Sequence, residues 1–289
     1  MTSNGNGAAN GTNARTGDRL AGKVCIVTGA AGGIGFETSI LFAKQSAKAV
    51  LIADINAGLL CKAHARMMDL VPGATIRTVL CDVSKEADVQ ALVEAADEFG
   101  GVDVMFNNAG IMHPDDDDEF TSERVWDLTH NINVKGVWYG CKHAVASLRR
   151  YKKTTGSIIN TASVVALVGS SAPQLAYTAS KGAVLAMTRE LAIVHGKEGY
   201  RFNALCPGPL NTHLLQSFLD TEEKRHRRTI HLPTGRFGEA IEQAHAVVFM
   251  ACDESTYLTG QEMVMDGGMT KAYVTAQGLP LWAPHNHGF

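Results

Sequence analysis

The chain lacks any apolar segment of the about 20 residues that a membrane-spanning helix needs, although 45% of its 289 residues are hydrophobic. Residues 1–19 are rich in Gly, Asn and Thr and contain no apolar core, which is typical of neither a secretory signal nor a strong targeting helix. We interpret this segment as a disordered lead-in. The sequence therefore predicts a cytoplasmic protein with no membrane partner.

Neither sign of charge is in large excess. The chain has 26 Lys and Arg residues against 29 Asp and Glu residues, for a formal net charge of −3. Proteins that bind nucleic acid or anionic membrane surfaces usually carry a basic patch or a basic excess. The composition therefore argues against both kinds of partner.

Cysteine and histidine lack the spacing of a metal site. The six cysteines are scattered without a Cys-x-x-Cys pair, and several fall in apolar strands, as small core residues do in a reducing compartment. No two of the eleven histidines have ligand-like spacing on an open helix face. We therefore predict no metal.

What the sequence does contain is a strand, a glycine-rich turn and a helix in direct succession. Residues 23–27 are mostly apolar, residues 28–35 are Thr-Gly-Ala-Ala-Gly-Gly-Ile-Gly, and residues 36–43 have a helical pattern. This order places a pyrophosphate on a helix N-terminus, where unpaired backbone N–H groups and the positive end of the helix dipole meet the anion. Glycines are needed because a Cβ would block the turn or the approach of the phosphate.

A carboxylate follows this turn at the distance typical of ribose recognition. The second apolar strand, residues 49–53, leads directly into Asp54, which lies nineteen residues after Gly35. A carboxylate there accepts hydrogen bonds from a ribose diol and repels a 2′-phosphate. The variable turn positions, Ala30, Ala31 and Gly32, supply no cation for such a phosphate. NAD is therefore favoured over NADP, with an ordinary strand-end aspartate as the alternative for Asp54.

Tyr177 and Lys181 lie four residues apart, which puts both side chains on one face of a helix. A free tyrosine has a pKa near about 10 and is a poor base at neutral pH. An adjacent cation favours the phenolate and makes the group suitable for proton transfer. The alternative is two surface side chains that merely share a helix face.

Strand-like and helix-like segments alternate along the chain. They predict an α/β fold, a Rossmann-type doubly wound parallel sheet of about seven strands with helices on both faces. The further predicted strands are residues 75–80, 102–106, 156–160, 200–205 and 262–265. Ser84 is a candidate cap for an amphipathic helix with Val89 and Leu92 in its apolar stripe. Residues 119–151 predict a long helical stretch with interruptions at residues 131–133 and at Gly136.

Nine motifs in a fixed order carry a resemblance to a known family. They are the glycine turn, Asp54, Cys-Asp-Val at 81–83, Asn-Asn-Ala-Gly at 107–110, Asn133, Ser163, the Tyr177 and Lys181 pair, Pro-Gly at 207–208 and Asp-Gly-Gly at 266–268. From about residue 20 to residue 271 the chain resembles the single-domain, NAD(P)-dependent short-chain dehydrogenases/reductases with a Tyr-x-x-x-Lys motif. The resemblance implies one catalytic domain at residues 20–271, followed by an extension at residues 272–289.

The resemblance implies four catalytic residues. Tyr177 resembles the acid/base, Lys181 the lysine that lowers the phenol pKa and holds the nicotinamide ribose, and Ser163 the serine that hydrogen-bonds the substrate oxygen. Asn133, which matches the motif better than Asn131, resembles the asparagine whose backbone binds a water linked to Lys181. The implied reaction is hydride transfer between NAD(H) and a small-molecule secondary alcohol or ketone. The Tyr–Lys spacing differs from the wider gap of the enoyl reductases in this superfamily.

The resemblance also implies a cofactor site and a substrate site. Asp82 is expected at the adenine and residues 108–110 under the adenosine ribose. The expected cofactor-binding residues are Gly29, Gly32, Gly33, Ile34, Gly35, Asp54, Ile55, Cys81, Asp82, Val83, Asn108, Ala109, Gly110, Tyr177, Lys181, Pro207, Gly208, Leu210 and Thr212. The expected substrate contacts are Ser163, Tyr177, Val165, Met112, His113 and Leu214. The resemblance further implies that residues 211–219 form a mobile lid over the substrate. The Leu and Phe residues of this lid indicate a lipophilic or cyclic substrate, unless they only pack the lid helix.

Three segments outside these motifs leave alternatives open. The acidic run 115–118 predicts a solvated loop, with substrate repulsion or cation binding as alternatives. The basic run 224–228 predicts a solvated helix face, with a phosphate clamp as the alternative. The aromatic and proline residues of the extension predict packing at a subunit interface of a homo-oligomer, a tetramer in preference to a dimer.

Two classes of function fit the sequence. The first is an NAD-dependent oxidoreductase that acts on CH–OH groups. The second is a catalytically inactive nucleotide-binding regulator or scaffold on the same fold. The complete set of catalytic residues favours the enzyme, because binding alone requires no proton relay.

Overall fold

The structure is a computed structural model that describes residues 17–170, 172–216 and 218–272. Residues 1–16 of the predicted lead-in and residues 273–289 of the predicted extension lie outside the described residues. Among the helices that the structure describes, none is both long and apolar enough to cross a membrane.

Within these residues, seven parallel strands form one sheet in the order β3-β2-β1-β4-β5-β6-β7. The strands are β1 (Val24–Thr28), β2 (Ala49–Asp54), β3 (Ile76–Leu80), β4 (Val104–Asn107), β5 (Gly156–Thr161), β6 (Tyr200–Pro207) and β7 (Glu262–Met265). All seven predicted strands are confirmed, each within two residues at either end. The strand order reverses between β1 and β4, and in open sheets of this kind the crevice at the carboxyl ends of the strands beside that point is the usual ligand site.

Nine α-helices lie within the described residues. They are α1 (Gly33–Lys44), α2 (Ala57–Leu70), α3 (Glu86–Glu94), α4 (Glu123–His130), α5 (Gly136–Arg150), α6 (Leu175–His195), α7 (His213–Gln216), α8 (Glu222–Thr229) and α9 (Ala240–Ala251). A π-helical turn, Asn131–Lys135, joins α4 to α5. This turn is the predicted interruption of the long helical stretch.

The core consists of two apolar layers, one on each face of the sheet. Val24 and Ile26 of β1 pack in the layer that contains residues of α3, α5 and α6. Their neighbours Cys25 and Val27 pack in the other layer, with residues of α1, α2 and α9. Successive side chains alternate between the faces of a strand, and a parallel sheet covered on both sides therefore needs apolar residues at every position.

Ser84 does not cap α3, so this prediction is wrong. Its hydroxyl and its backbone N–H both donate to one carboxylate oxygen of Asp82, at 2.6 and 3.1 Å. Lys85 takes the N-cap position, without a side-chain hydrogen bond to the helix. An aspartate two residues upstream competes for the serine and forms a local turn instead. The predicted apolar stripe is confirmed, since Val89 and Leu92 are buried.

Candidate active site

The glycine turn runs from β1 into α1 along the wall of a cavity of about 380 Å³. Gly29 and Gly33 have φ values of 63° and 54°, a conformation that favours glycine. A Cβ on Gly35 would collide with the carbonyl oxygen of Gly29, whereas a Cβ on Gly32 would meet only open space. The turn therefore packs strand against helix at Gly35 and leaves room for a ligand at Gly32.

Asp54 reaches the same cavity from the end of β2. Its carboxylate accepts hydrogen bonds from the backbone N–H groups of Ala31 at 3.1 Å and Asn56 at 3.0 Å. The bond to Ala31 ties the carboxylate to the glycine turn. Sequence spacing alone predicted that these two features lie together.

Tyr177 and Lys181 project from α6 into this cavity, and Ser163 lines it from the loop after β5. The Lys181 Nζ lies 5.6 Å from the centroid of the Tyr177 ring and donates a hydrogen bond to the carbonyl oxygen of Thr161 at 2.8 Å. Lys181 is buried, and Tyr177 is partly buried. The structure therefore brings together the three side chains that the motifs predicted.

The pKa values of Tyr177 and Lys181 are shifted, and the shift of the phenol is opposite to the predicted one. Burial raises the pKa of the Tyr177 phenol, and a hydrogen bond with the Ser163 side chain only opposes that shift. Burial also lowers the pKa of the Lys181 ammonium to about 8. The expected lowering of the phenol pKa by Lys181 is not seen here, since burial is the larger cause of the shift and the ammonium hydrogen-bonds the Thr161 carbonyl.

Asn133 lies in the π-helical turn and is fully buried. Its Oδ1 accepts from the Ile111 N–H at 2.8 Å, and its Nδ2 donates to the Ile111 carbonyl at 3.0 Å and to the Ser180 hydroxyl at 3.1 Å. These bonds join the segment after β4 to α6, one residue before Lys181. The side chain therefore has a positioning role, while the role expected of its backbone stays a prediction.

The acidic run 115–118 was predicted to be a solvated loop, and this prediction is wrong for Asp116. The side chain is buried, with an exposed fraction of 7% for the residue. Its two carboxylate oxygens accept from the N–H groups of Ala176 at 2.9 Å and Tyr177 at 2.8 Å, in the first turn of α6. The carboxylate thus caps the helix that carries Tyr177. Nothing in the local sequence signals a bond across sixty residues.

Most predicted site residues share the one cavity. The cavity is lined by these predicted residues: Gly29, Gly32, Gly33, Ile34, Asp54, Asn108, Ala109, Gly110, Met112, Ser163, Val165, Tyr177, Lys181, Pro207, Gly208, Leu210 and Thr212. Asn108 also connects two segments of the site, because its Nδ2 donates to the carbonyl oxygens of Thr28 and Gly29 at 3.1 and 3.3 Å. It therefore fastens the end of β4 to the start of the glycine turn.

Several predicted site residues do not line this cavity. Cys81 and Val83 pack in the apolar layer with α3 and α5, and Ile55 is exposed. The Asp82 carboxylate is occupied by Ser84 and by an ion pair with Lys85 at 3.4 Å. The Nδ1 of His113 accepts from the N–H of Asp115 at 3.1 Å, so this ring is held by its own loop. The side chain of Leu214 lies outside the described part of the structure.

Several cavity residues were missed. They are chiefly Ser170, Gln174, Arg228, His231 and Met269. Leu215 also lines the cavity, as expected of the apolar residues after Leu210. The sequence offered one signal, the basic run 224–228, which was interpreted as a solvated face. That interpretation is wrong for Arg228, the last residue of the run, which lines the cavity.

Most of the chain is similar to known proteins. Residues 29–270 match a family model described as "Enoyl-(Acyl carrier protein) reductase". The chain is 37% identical over 254 residues to "Dehydrogenase/reductase SDR family member 6" of Danio rerio, covering 86% of this chain and 98% of that protein. The chain belongs to the short-chain dehydrogenase/reductase family. Membership makes it an oxidoreductase that acts on alcohol or ketone groups of small molecules with NAD(P).

Two further relatives of this short-chain dehydrogenase/reductase carry informative names. Levodione reductase of Leifsonia aquatica is 33% identical over 262 residues, covering 88% of this chain and 97% of that protein. (+)-Borneol dehydrogenase 2 of Salvia officinalis is 37% identical over 280 residues, covering 92% and 94%. A crystal structure of levodione reductase matches with a TM-score of 0.80 at 33% identity, covering 88% of this chain and 100% of that chain. The predicted fold class is therefore confirmed.

Proposed function

We propose that this protein transfers a hydride between NAD(H) and a secondary alcohol or ketone of lipophilic or cyclic character, with Tyr177 as the acid/base. One observation carries the proposal. A single cavity is lined both by the glycine turn with Asp54 and by the side chains of Ser163, Tyr177 and Lys181. A nucleotide site and a proton-transfer site therefore share one space.

The residues of the turn fit a dinucleotide. Gly32 faces open space at the N-terminus of α1, where backbone N–H groups favour a phosphate. Asp54 supplies a carboxylate for a ribose diol, and Ala31 donates to that carboxylate without bringing a cation. These features support NAD over NADP. When bound, the nicotinamide supplies or accepts the hydride.

The protein's own groups would manage the proton. Tyr177 donates a proton to the substrate oxygen during reduction and accepts one during oxidation, while Ser163 hydrogen-bonds that oxygen as charge develops on it. The buried Lys181, with a pKa of about 8, exchanges protons readily near neutral pH. The Thr161 carbonyl keeps its ammonium beside the phenol ring.

The apolar wall of the cavity supports a lipophilic substrate. Met112, Val165, Leu210 and Leu215 line it. The names of two relatives, a levodione reductase and a (+)-borneol dehydrogenase, agree with a ketone or alcohol of this character. The description of the matching family model suggests enoyl reduction instead. The four-residue Tyr–Lys spacing favours the alcohol or ketone reaction.

We also propose that the protein is a cytoplasmic homo-oligomer, a tetramer in preference to a dimer. Trp138 on α5 and both Ile193 and Val194 on α6 are large apolar side chains exposed to solvent. Contiguous exposed apolar patches mark protein contacts, and these side chains are the candidates for such a patch on α5 and α6. Light scattering on the full chain and on a chain truncated after residue 271 tests both the assembly and the expected role of the extension.

The Tyr177→Phe variant tests the reaction. We expect NADH binding to remain and turnover to fall by about 10²- to 10⁴-fold, the usual contribution of a general acid or base. Wild-type activity is first located by screening NAD⁺ reduction against cyclic and open-chain secondary alcohols. Tyr257→Phe, at a fully exposed position, is the matched control and should keep full activity. A scaffold would show no turnover in any of the three proteins.

A further inference from the structure

Helix α8 and the residues just after it bring basic side chains to a cavity that was expected to be mostly apolar. Arg228, at the end of α8, and His231, just after it, both line the cavity. Arg228 is partly buried, and this burial lowers the pKa of its guanidinium. A desolvated guanidinium is costly unless an acceptor pairs with it.

No such acceptor for the Arg228 side chain is present among the described residues, which give it neither a hydrogen bond nor an ion pair. Its neighbours on the same helix are paired. Arg227 forms an ion pair with Glu223 at 2.8 Å, and Lys224 forms one with Asp220 at 2.7 Å. Arg225, the other partly buried arginine of the run, donates to the side chain of Gln216. Arg228 therefore differs from Arg227 and Lys224 by its burial, and from Arg225 by lining the cavity without such a partner.

Gln174 is a second polar group in the same situation. It immediately precedes α6, lines the cavity and has an exposed fraction of only 8%. Its side-chain amide makes no hydrogen bond within the part of the chain that the structure describes. Its amide N–H hydrogens are therefore free to donate to a ligand in the cavity.

The cavity's own carboxylate does not neutralise Arg228. Asp54 is the acidic residue among those lining the described cavity, and its oxygens accept from Ala31 and Asn56 beside the glycine turn. The other basic side chains that line the cavity are Lys181 and His231. A guanidinium with a free donor face is best matched by a carboxylate, which it binds through two parallel hydrogen bonds.

We propose that Arg228 and Gln174, with His231 beside them, bind a carboxylate of the substrate, so that the preferred substrates are hydroxy acids or keto acids with an apolar skeleton. This inference rests on the proposed function and names the substrate class within it. The apolar residues Met112 and Val165 hold the skeleton, while Ser163 and Tyr177 hold the reacting oxygen. The alternative partner for Arg228 is the pyrophosphate of the cofactor, which is also an anion that a guanidinium binds.

Matched acid and ester pairs test this proposal. The first pair is 4-oxocyclohexanecarboxylate and its methyl ester with NADH; the second is 3-hydroxybutyrate and its methyl ester with NAD⁺. We expect Arg228→Met to lower kcat/KM for the acids by about 10- to 100-fold, the value of a hydrogen bond to a charged group, and to lower kcat/KM for the esters much less. Arg227 lies on the same helix but is exposed and paired with Glu223. The control Arg227→Met should therefore change kcat/KM for neither the acids nor the esters.

Two kinetic results would overturn it. One is an equal loss on acid and ester in Arg228→Met. The other is a raised KM for NADH without any change in the preference for the acid, which would assign Arg228 to a cofactor phosphate.

A binding measurement separates this inference from the proposed function. In the presence of NADH, cyclohexanecarboxylate should raise the midpoint of thermal unfolding of the wild type and of Tyr177→Phe, whereas cyclohexanecarboxamide should not. Arg228→Met should abolish the carboxylate effect and Arg227→Met should retain it. If the wild type shows the shift but no turnover on any substrate, the proposed reaction is refuted and the carboxylate site is supported. Absence of the shift together with absence of an acid preference would refute the site.

Discussion

The carboxylate of Asp116 holds the backbone of Tyr177. It accepts the Tyr177 N–H at 2.8 Å and the neighbouring Ala176 N–H at 2.9 Å. A buried anion at a helix N-terminus satisfies donors that have no partner within the helix and interacts favourably with the helix dipole. The loop after β4 thereby fixes the turn of α6 from which the Tyr177 side chain projects into the cavity.

We expect Asp116→Ala to disturb both stability and catalysis. Loss of two hydrogen bonds to buried N–H groups should lower the free energy of unfolding by about 1–3 kcal/mol. The kcat should fall more than KM rises, because the acid/base is displaced while the cavity remains. Asp116→Asn, which keeps an acceptor oxygen, should recover part of the kcat. Urea unfolding and steady-state kinetics measure these effects, with the exposed neighbour Asp115→Ala as the control; a kcat equal to wild type in Asp116→Ala would contradict the positioning role.

Lys181 should make the stability of the protein depend on pH. Burial lowers its pKa to about 8, below the value of about 10.4 in an unfolded chain. Between these values the unfolded chain binds the proton that the folded protein has released, so the free energy of unfolding rises with pH. Burial raises the pKa of the Tyr177 phenol, which moves its titration toward higher pH.

Lys181→Met removes this titration. We subtract the free energy of unfolding of the variant from that of the wild type, both measured by urea unfolding. This difference should rise by about 1–2 kcal/mol from about pH 7 to about pH 9.5. Below about pH 7 the difference should stay constant, since the lysine is then charged in both states. A difference that is flat from pH 7 to pH 9.5 would show that the folded pKa is not lowered.

Asp54 should control the choice of nucleotide. Asp54→Ser removes the acceptor for the ribose diol and the negative charge that repels a 2′-phosphate. We expect kcat/KM for NAD⁺ to fall by about 10- to 100-fold and the ratio of NADP⁺ to NAD⁺ use to rise. Asp69→Ser, on α2 and remote from the cavity lining, is the control. Equal losses with both nucleotides would instead indicate that the Asp54 bond to Ala31 is needed only to hold the turn.

Gly35 should tolerate no side chain. A Cβ there would collide with the Gly29 carbonyl oxygen, and overpacking of this kind costs about 1–3 kcal/mol. Gly35→Ala should therefore unfold at a lower urea concentration and bind NADH more weakly. Gly58→Ala, in the first turn of α2, meets only an ordinary contact at 3.6 Å and should be neutral or slightly stabilised. Equal stability of Gly35→Ala and wild type would mean that the turn is not packed as described.

The strands were predictable because they depend on residues that are neighbours in the chain, whereas one local feature, the cap of α3, was not. The strands were found because a sheet buried on both faces requires continuous apolar runs, which β1 and β2 show. Ser84 was misassigned because Asp82, two residues away, offered a competing acceptor that a capping pattern does not consider.

The sequence by itself determined the glycine turn, the carboxylate at Asp54 and the shared helix face of Tyr177 and Lys181, since each is a matter of local spacing. Only the tertiary structure decided that Asp116 caps α6 and that Arg228 faces the cavity rather than solvent. It also decided that burial, and not the neighbouring cation, dominates the pKa of Tyr177. Contacts between distant segments and the removal of water from a charged group arise only when the chain is packed, and no short-range pattern specifies them.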